Sequence, residues 1–128
     1  MVLLLDTHVL LRALDKPDRL PEEALRYIET PDNEVYFSVV SIWEIAIKAS
    51  LGRANFAYSA EQIAQAAQET GFIELPVTSG HAAKIAGLPL YHHDPFDRLL
   101  IAQTLLMPAR LLTVDSALTP YSELVWLI

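Results

Sequence analysis

The chain has 128 residues, 52% of them hydrophobic and 20% charged, with a net charge of −7 and no cysteine. That is enough chain for one compact domain with its own core, expected over residues 1–128, and it is not the composition of a disordered segment. The lack of cysteine excludes disulfides, thiolate zinc sites and cysteine nucleophiles, and no apolar run reaches the length of a membrane span. The opening MVLLLD has no basic stretch and is cut short by an acid, so no signal peptide is expected, and a cytoplasmic location fits.

In chain order, Val2–Leu5 is a short continuous apolar run, as expected of a strand buried on both faces. It ends in Asp6, and the residues from Thr7 to Leu14 read as a helix. Proline and acids at Pro21-Glu22-Glu23 open a second helix. Val35–Val40 is β-branched and aromatic, hence a strand, and Ser41 begins a helix that Gly52 closes. Ala60–Thr70 is a weakly amphipathic helix stopped by Gly71, Phe72–Leu75 a short strand, and Thr78–Ala86 a helix stopped by Gly87 and Pro89. A helix from Pro95 to about Met107 is apolar on nearly every face, which marks it as central. Leu111–Val114 is a buried strand that runs into Asp115, and Leu124–Ile128 closes the chain as a strand.

Strands alternating with helices predict an α/β fold, a three-layer α/β/α sandwich with a mainly parallel central sheet. Such sheets bind ligands outside the carboxyl ends of their strands, which is where Asp6 and Asp115 fall. Glu44 stands one turn into the helix after the strand ending at Val40, and Asp94 and Asp97 open the central helix. Each acid has an ordinary use. Asp94-Pro95-Phe96-Asp97 is a sound helix start, Ser41-Ile42-Trp43-Glu44 reads as a capping box, and Asp6 and Asp115 could each cap the helix or turn after a strand. Together, however, Asp6, Glu44, Asp97 and Asp115 come from four segments that the topology directs to one edge. Carboxylates so gathered repel unless a cation holds them, which points to a divalent metal site.

Other polar residues divide less clearly. His92-His93 reads as a loop pair near substrate, because adjacent turn residues seldom share one ligand direction; His8 and His81 read as satisfied structural side chains. Lys48, four residues after Glu44, is either an i,i+4 ion-pair partner or a phosphate contact. Arg98, Arg12 and Arg53 are candidates to line the approach, and Thr113 or Ser116 to bond a water at the site or to satisfy a turn.

The segments LLLDTHVLLRAL, SVVSIWEIAIKASLGR, LPLYHHDPFDRLLIAQ and LLTVDSALTPY together resemble the PIN-domain family, and most of all the VapC-type toxins of bacterial toxin–antitoxin pairs. The resemblance runs from about residue 2 to the C-terminus. It implies an acidic quartet of Asp6, Glu44, Asp97 and Asp115 that binds Mg²⁺ or Mn²⁺, with Asp94 and Thr113 in support. It further implies hydrolysis of RNA, frequent homodimers, and inhibition by a cognate antitoxin protein. Many relatives carry tryptophan where this chain has Arg12, which changes one helix face and leaves the acids intact. Two other classes remain. One is a non-catalytic binding module whose acids are all caps. The other is a phosphoacceptor receiver domain, disfavoured because Val40 runs into Ser41 and no lysine follows Lys84.

Overall fold

The structure, a computed structural model, describes residues 1–52 and 57–128. The chain runs β1 (Val2–Leu5), α1 (Thr7–Asp15), α2 (Glu22–Glu29), β2 (Glu34–Ser38), α3 (Val39–Ser50), α4 (Ala60–Thr70), β3 (Ile73–Leu75), α5 (Ser79–Lys84), α6 (Pro95–Leu106), β4 (Arg110–Thr113) and β5 (Val125–Leu127), with short 3-10 turns at Pro17–Arg19, Ile85–Gly87 and Ser116–Tyr121. The strands form one sheet of order β3-β2-β1-β4-β5, parallel throughout. No helix among the described residues is long and apolar enough to cross a membrane.

Alternation along the strands divides the core. Leu3, Leu5, Val35, Phe37 and Leu112 point to one face, where they pack with Val9, Leu10, Ile45, Ile63 and Ala67 from the helices. Leu4, Leu111 and Val125 point to the other, against Leu99, Leu100 and Ile101 of α6. Each such leucine or isoleucine contributes about 1.5–3 kcal/mol by leaving water, which is why strands covered on both sides are apolar without a polar phase. The expected three-layer α/β/α arrangement is therefore present. Six consecutive residues of α6, Leu99 to Thr104, are buried, as its all-round apolar pattern requires. The two polar ones are satisfied inside. Gln103 accepts from the Ser38 hydroxyl at 2.6 Å and donates to the Pro76 carbonyl, while the Thr104 hydroxyl donates to the Leu100 carbonyl.

The sheet order sets where a site can form. From β1 the chain steps outward through β2 to β3, then returns to lay β4 on the other side of β1. The crevice between the carboxyl ends of β1 and β4 is the switch point at which open α/β sheets take ligands. The order also differs from the 2-1-3-4-5 sheet of receiver-type domains, which removes that alternative.

One boundary departs from expectation. The strand expected to reach Val40 ends at Ser38, whose hydroxyl accepts from the Val40 amide and caps α3. Ser41 is therefore inside the helix and buried, and no capping box joins it to Glu44. A capping box does occur at α5, where Thr78 and His81 exchange bonds: the His81 amide donates to the Thr78 hydroxyl, and the Thr78 amide to His81 Nδ1. His81 is thus a structural side chain, as expected.

Candidate metal centre

Asp6 follows β1 directly and is 3% exposed. Its Oδ1 accepts from the Val9 amide at 2.7 Å, capping α1, and its Oδ2 accepts a very short bond from the Thr113 hydroxyl. The Thr113 oxygen in turn accepts from the Asp115 amide at 3.0 Å, so one buried hydroxyl ties the two strand-end acids together. Asp115 caps the 3-10 turn after β4 through the Ala117 amide.

Glu44 approaches from α3 and is also 3% exposed. Its Oε1 accepts from the Thr7 hydroxyl at 2.7 Å and its Oε2 from Lys48 at 2.6 Å. The Lys48 pair is the helical i,i+4 contact. Because Glu44 is buried, it also neutralises a carboxylate that would otherwise stand unpaired on that side.

Asp97 sits in the first turn of α6, which Asp94 caps by accepting from the Phe96 and Asp97 amides at 2.8 and 3.1 Å, with Pro95 in the first helical position. The same pocket, about 370 Å³, is lined by Asp6, Glu44, Asp94, Asp97 and Asp115 together with His8, Lys48 and His92. The four acids singled out in the sequence thus face one cavity.

Electrostatics distinguish them. Burial pushes the Asp6 carboxyl above the usual range, opposed by the bonds from Thr113 and Val9 and by the nearby His8. Asp97 is raised to about 7, first by burial and then by the negative charge of Asp94, Glu44 and Asp6, with only the His92 bond pulling it down.

His92 is the residue that sequence reasoning underrated. Its Nε2 lies 3.0 Å from Asp97 Oδ2 and 3.4 Å from Asp115 Oδ2. Ligand atoms of His92, Asp97 and Asp115 all fall within 4.8 Å of one another. The only hint in the sequence was its place just before the Asp94 cap, whereas neighbouring His93 is exposed.

The remaining candidates scatter. The Arg98 guanidinium is turned onto the chain itself. It donates to the Pro89 carbonyl at 2.9 Å and the Tyr121 hydroxyl at 3.1 Å, with longer contacts to the carbonyls of Ile85, Leu88 and His92. Its place is a clamp on the loop that presents His92. Ser116 is exposed, and its hydroxyl bonds no described residue. Arg12 lines a separate cavity beside the acidic one, and Arg53 falls outside the described residues.

The donor set is four carboxylates and one imidazole, mostly hard oxygen, which suits Mg²⁺ or Mn²⁺ better than softer metals. The unrelieved repulsion at Asp97 is what a divalent cation would remove.

The sequence matches the PIN domain family over residues 3–123. The chain belongs to the PIN domain family. No curated protein sequence matches it. Among solved structures it is similar to a chain of VapBC2 from Rickettsia felis bound to a DNA fragment from their promoter, at TM-score 0.71 and 14% identity, covering 100% of this chain and 98% of that one. It is also similar to a chain of FitAcB from Neisseria gonorrhoeae, at TM-score 0.58 and 18% identity over 90% and 88% of the two chains. A chain of VapBC-1 from nontypeable Haemophilus influenzae gives TM-score 0.58 and 18% identity over 90% and 87%. At such identities these likenesses speak for the fold of this PIN domain.

Proposed function

We propose that this PIN domain, a single domain over residues 1–128, is a divalent-metal-dependent endoribonuclease and the VapC-type toxin of a toxin–antitoxin pair. The carrying observation is the convergence of Asp6, Glu44, Asp97 and Asp115 on one pocket at the switch point of the sheet, with Asp97 raised to about 7 by burial and the acids around it. Mg²⁺ or Mn²⁺ would be held by those four carboxylates, with His92 beside Asp97 and Asp115. A bound divalent ion supplies Lewis-acid polarisation of a phosphate oxygen and acidifies water beside it. The chain's own groups supply the rest. Thr113 and the Val9 amide fix the Asp6 oxygens in direction. Thr7 and Lys48 do the same for Glu44. His92 Nε2, 3.0 Å from Asp97 Oδ2, orients that carboxylate toward the pocket.

In this reading the protein acts in the cytoplasm, forms a homodimer, and is restrained by a cognate antitoxin protein. Two of the solved neighbours are described as VapBC assemblies, which supports the VapC-type reading and its pairing. The test is incubation of the purified chain with cellular RNA in Mn²⁺, in Mg²⁺ and in EDTA, followed by sequencing of the new ends, with single-stranded DNA in parallel. Discrete RNA cleavage that needs the metal and vanishes in Asp97→Asn is the expected result. Absence of cleavage with both metals, together with no thermal stabilisation by either, would return the acids to the role of helix caps in a binding module.

A further inference from the structure

A second cavity, about 220 Å³, adjoins the acidic pocket and has the opposite charge. It lies between α1, the turn Pro17–Arg19 and α3, and its walls carry His8, Arg12, Lys16, Arg19 and Lys48. Four of the chain's nine lysines and arginines therefore face one small cavity in a protein of net charge −7. His8 and Lys48 line both cavities, so the two share a wall.

This concentration opposes the interests of the fold. Arg12 and Lys16 stand four residues apart, a spacing at which like charges on a helix repel. The negative end of α1 attracts a cation and accounts for Lys16. It does not account for Arg19, which comes to the same cavity from another element, beside Lys48 held by Glu44. Among the described residues, moreover, no hydrogen bond or ion pair engages the side chains of Arg12, Lys16 or Arg19. Arg12, Lys16 and Arg19, with no ion-pair partner among the described residues, leave the cleft suited to an anion.

We propose that this cleft seats a backbone phosphate of the RNA strand, flanking the phosphate that enters the acidic pocket. The proposal rests on the nuclease reading above. A strand whose reacting phosphate lies among the acids must pass a neighbouring phosphate over whatever adjoins them, and here that is the cationic cleft. Its volume is below the roughly 300–1,000 Å³ of sites for drug-sized ligands, which suits one compact anionic group and not a packed protein segment. Guanidinium groups grip phosphate through paired N–H donors, and contacts of this kind position a strand without reading its sequence. The cleft also answers how so acidic a protein retains a polyanion.

The test is binding of a short fluorescein-labelled single-stranded RNA in EDTA, where no cleavage intervenes, followed by anisotropy over a series of salt concentrations. The double variant Arg12→Gln/Arg19→Gln is expected to bind about tenfold more weakly, with a salt slope shallower by about 0.7–1. Arg19→Glu, at an exposed turn position, gives a loss at least as large from one site. Circular dichroism and melting curves confirm that each variant is folded. The control Arg26→Gln/Lys84→Gln, outside the cleft, binds as the native chain does. Equal loss in that control, or an unchanged affinity and slope in the cleft variants, overturns the proposal. So does competition by poly-aspartate as strong as that by unlabelled RNA, which would make an acidic peptide the occupant. Cleavage in Mn²⁺ separates the two readings. A raised KM with kcat kept in the cleft variants supports the cleft. Cleft-dependent RNA binding by a native chain that cleaves nothing removes the nuclease reading and leaves the phosphate site.

Discussion

Asp6 and Asp97 face the same pocket from the starts of two helices, yet they are held in different ways. Asp6 receives the Val9 amide and the Thr113 hydroxyl, and both bonds favour its anion. Asp97 has His92 alone in its favour, and three other carboxylates act against it. Burial raises both, but the chain gives Asp6 more compensation than it gives Asp97. One acid is part of how the fold closes, and the other is completed by something that binds. A metal centre needs both kinds. The first fixes direction, and the second leaves a deficit of positive charge that an ion fills.

Substitution separates the two most sharply. Asp97→Asn is expected to reduce RNA cleavage by about 10³-fold or more, in line with loss of a group acting directly at the reacting centre. Its melting temperature in EDTA at pH 8 should equal or exceed that of the native chain, while the rise on adding Mn²⁺ disappears. Asp6→Ala should also abolish cleavage, but in EDTA it should lower stability by about 0.5–2 kcal/mol, the usual cost of a lost helix cap. A destabilised Asp97→Asn protein beside an unaffected Asp6→Ala would reverse the comparison.

A second break is made through Thr113. Thr113→Val keeps the shape and removes the hydroxyl that joins Asp6 to the Asp115 amide. Mn²⁺ affinity, read from the metal dependence of the melt, should fall about 10–100-fold, the range for partners that orient ligands.

The pH dependence comes from Asp97. Its carboxyl sits at about 7 in the fold against 3.8 ordinarily, so the folded chain holds the proton more tightly than the unfolded chain does. Its contribution in EDTA is thus most favourable below about pH 4 and is lost as pH rises from about 4 to 7. The stability of Asp97→Asn relative to the native chain should increase across that window and level off above it. A constant difference would show that neither burial nor the neighbouring acids raise Asp97. The smallest effect belongs to Lys48→Met. With Mn²⁺ present to balance Glu44, loss of this i,i+4 pair should change unfolding free energy by less than about 1 kcal/mol, as measured by urea titration.

Much of the fold was legible because its strands are buried on both faces. Val2–Leu5 and the run beginning at Leu111 had no other reading, and the acids after them marked the edge of the sheet. The start of α3 was not legible. Ser38 and Ser41 can each cap a helix, and Val39-Val40 favours a strand in isolation, so burial decided between them. In the site, Asp6, Asp97 and Asp115 could be placed because each stands at an element boundary, and Glu44 because its helix follows a strand directly. His92 could not, because its position depends on a loop path that no periodicity encodes. Arg98 misled for a simpler reason: adjacent residues on a helix do not face the same way, so its nearness to Asp97 in sequence placed it on a different side of α6. The cationic cleft joins α1 to Lys48, which no local pattern connects.

The Arg98 clamp carries one more consequence. Four of the five groups that receive its guanidinium are peptide carbonyls, those of Ile85, Leu88, Pro89 and His92. Carbonyls persist whatever side chains the loop bears. Relatives can therefore vary the lettering of this segment and still hold its path, provided the arginine stays; exchange of that one residue should loosen the loop even where every other position is kept.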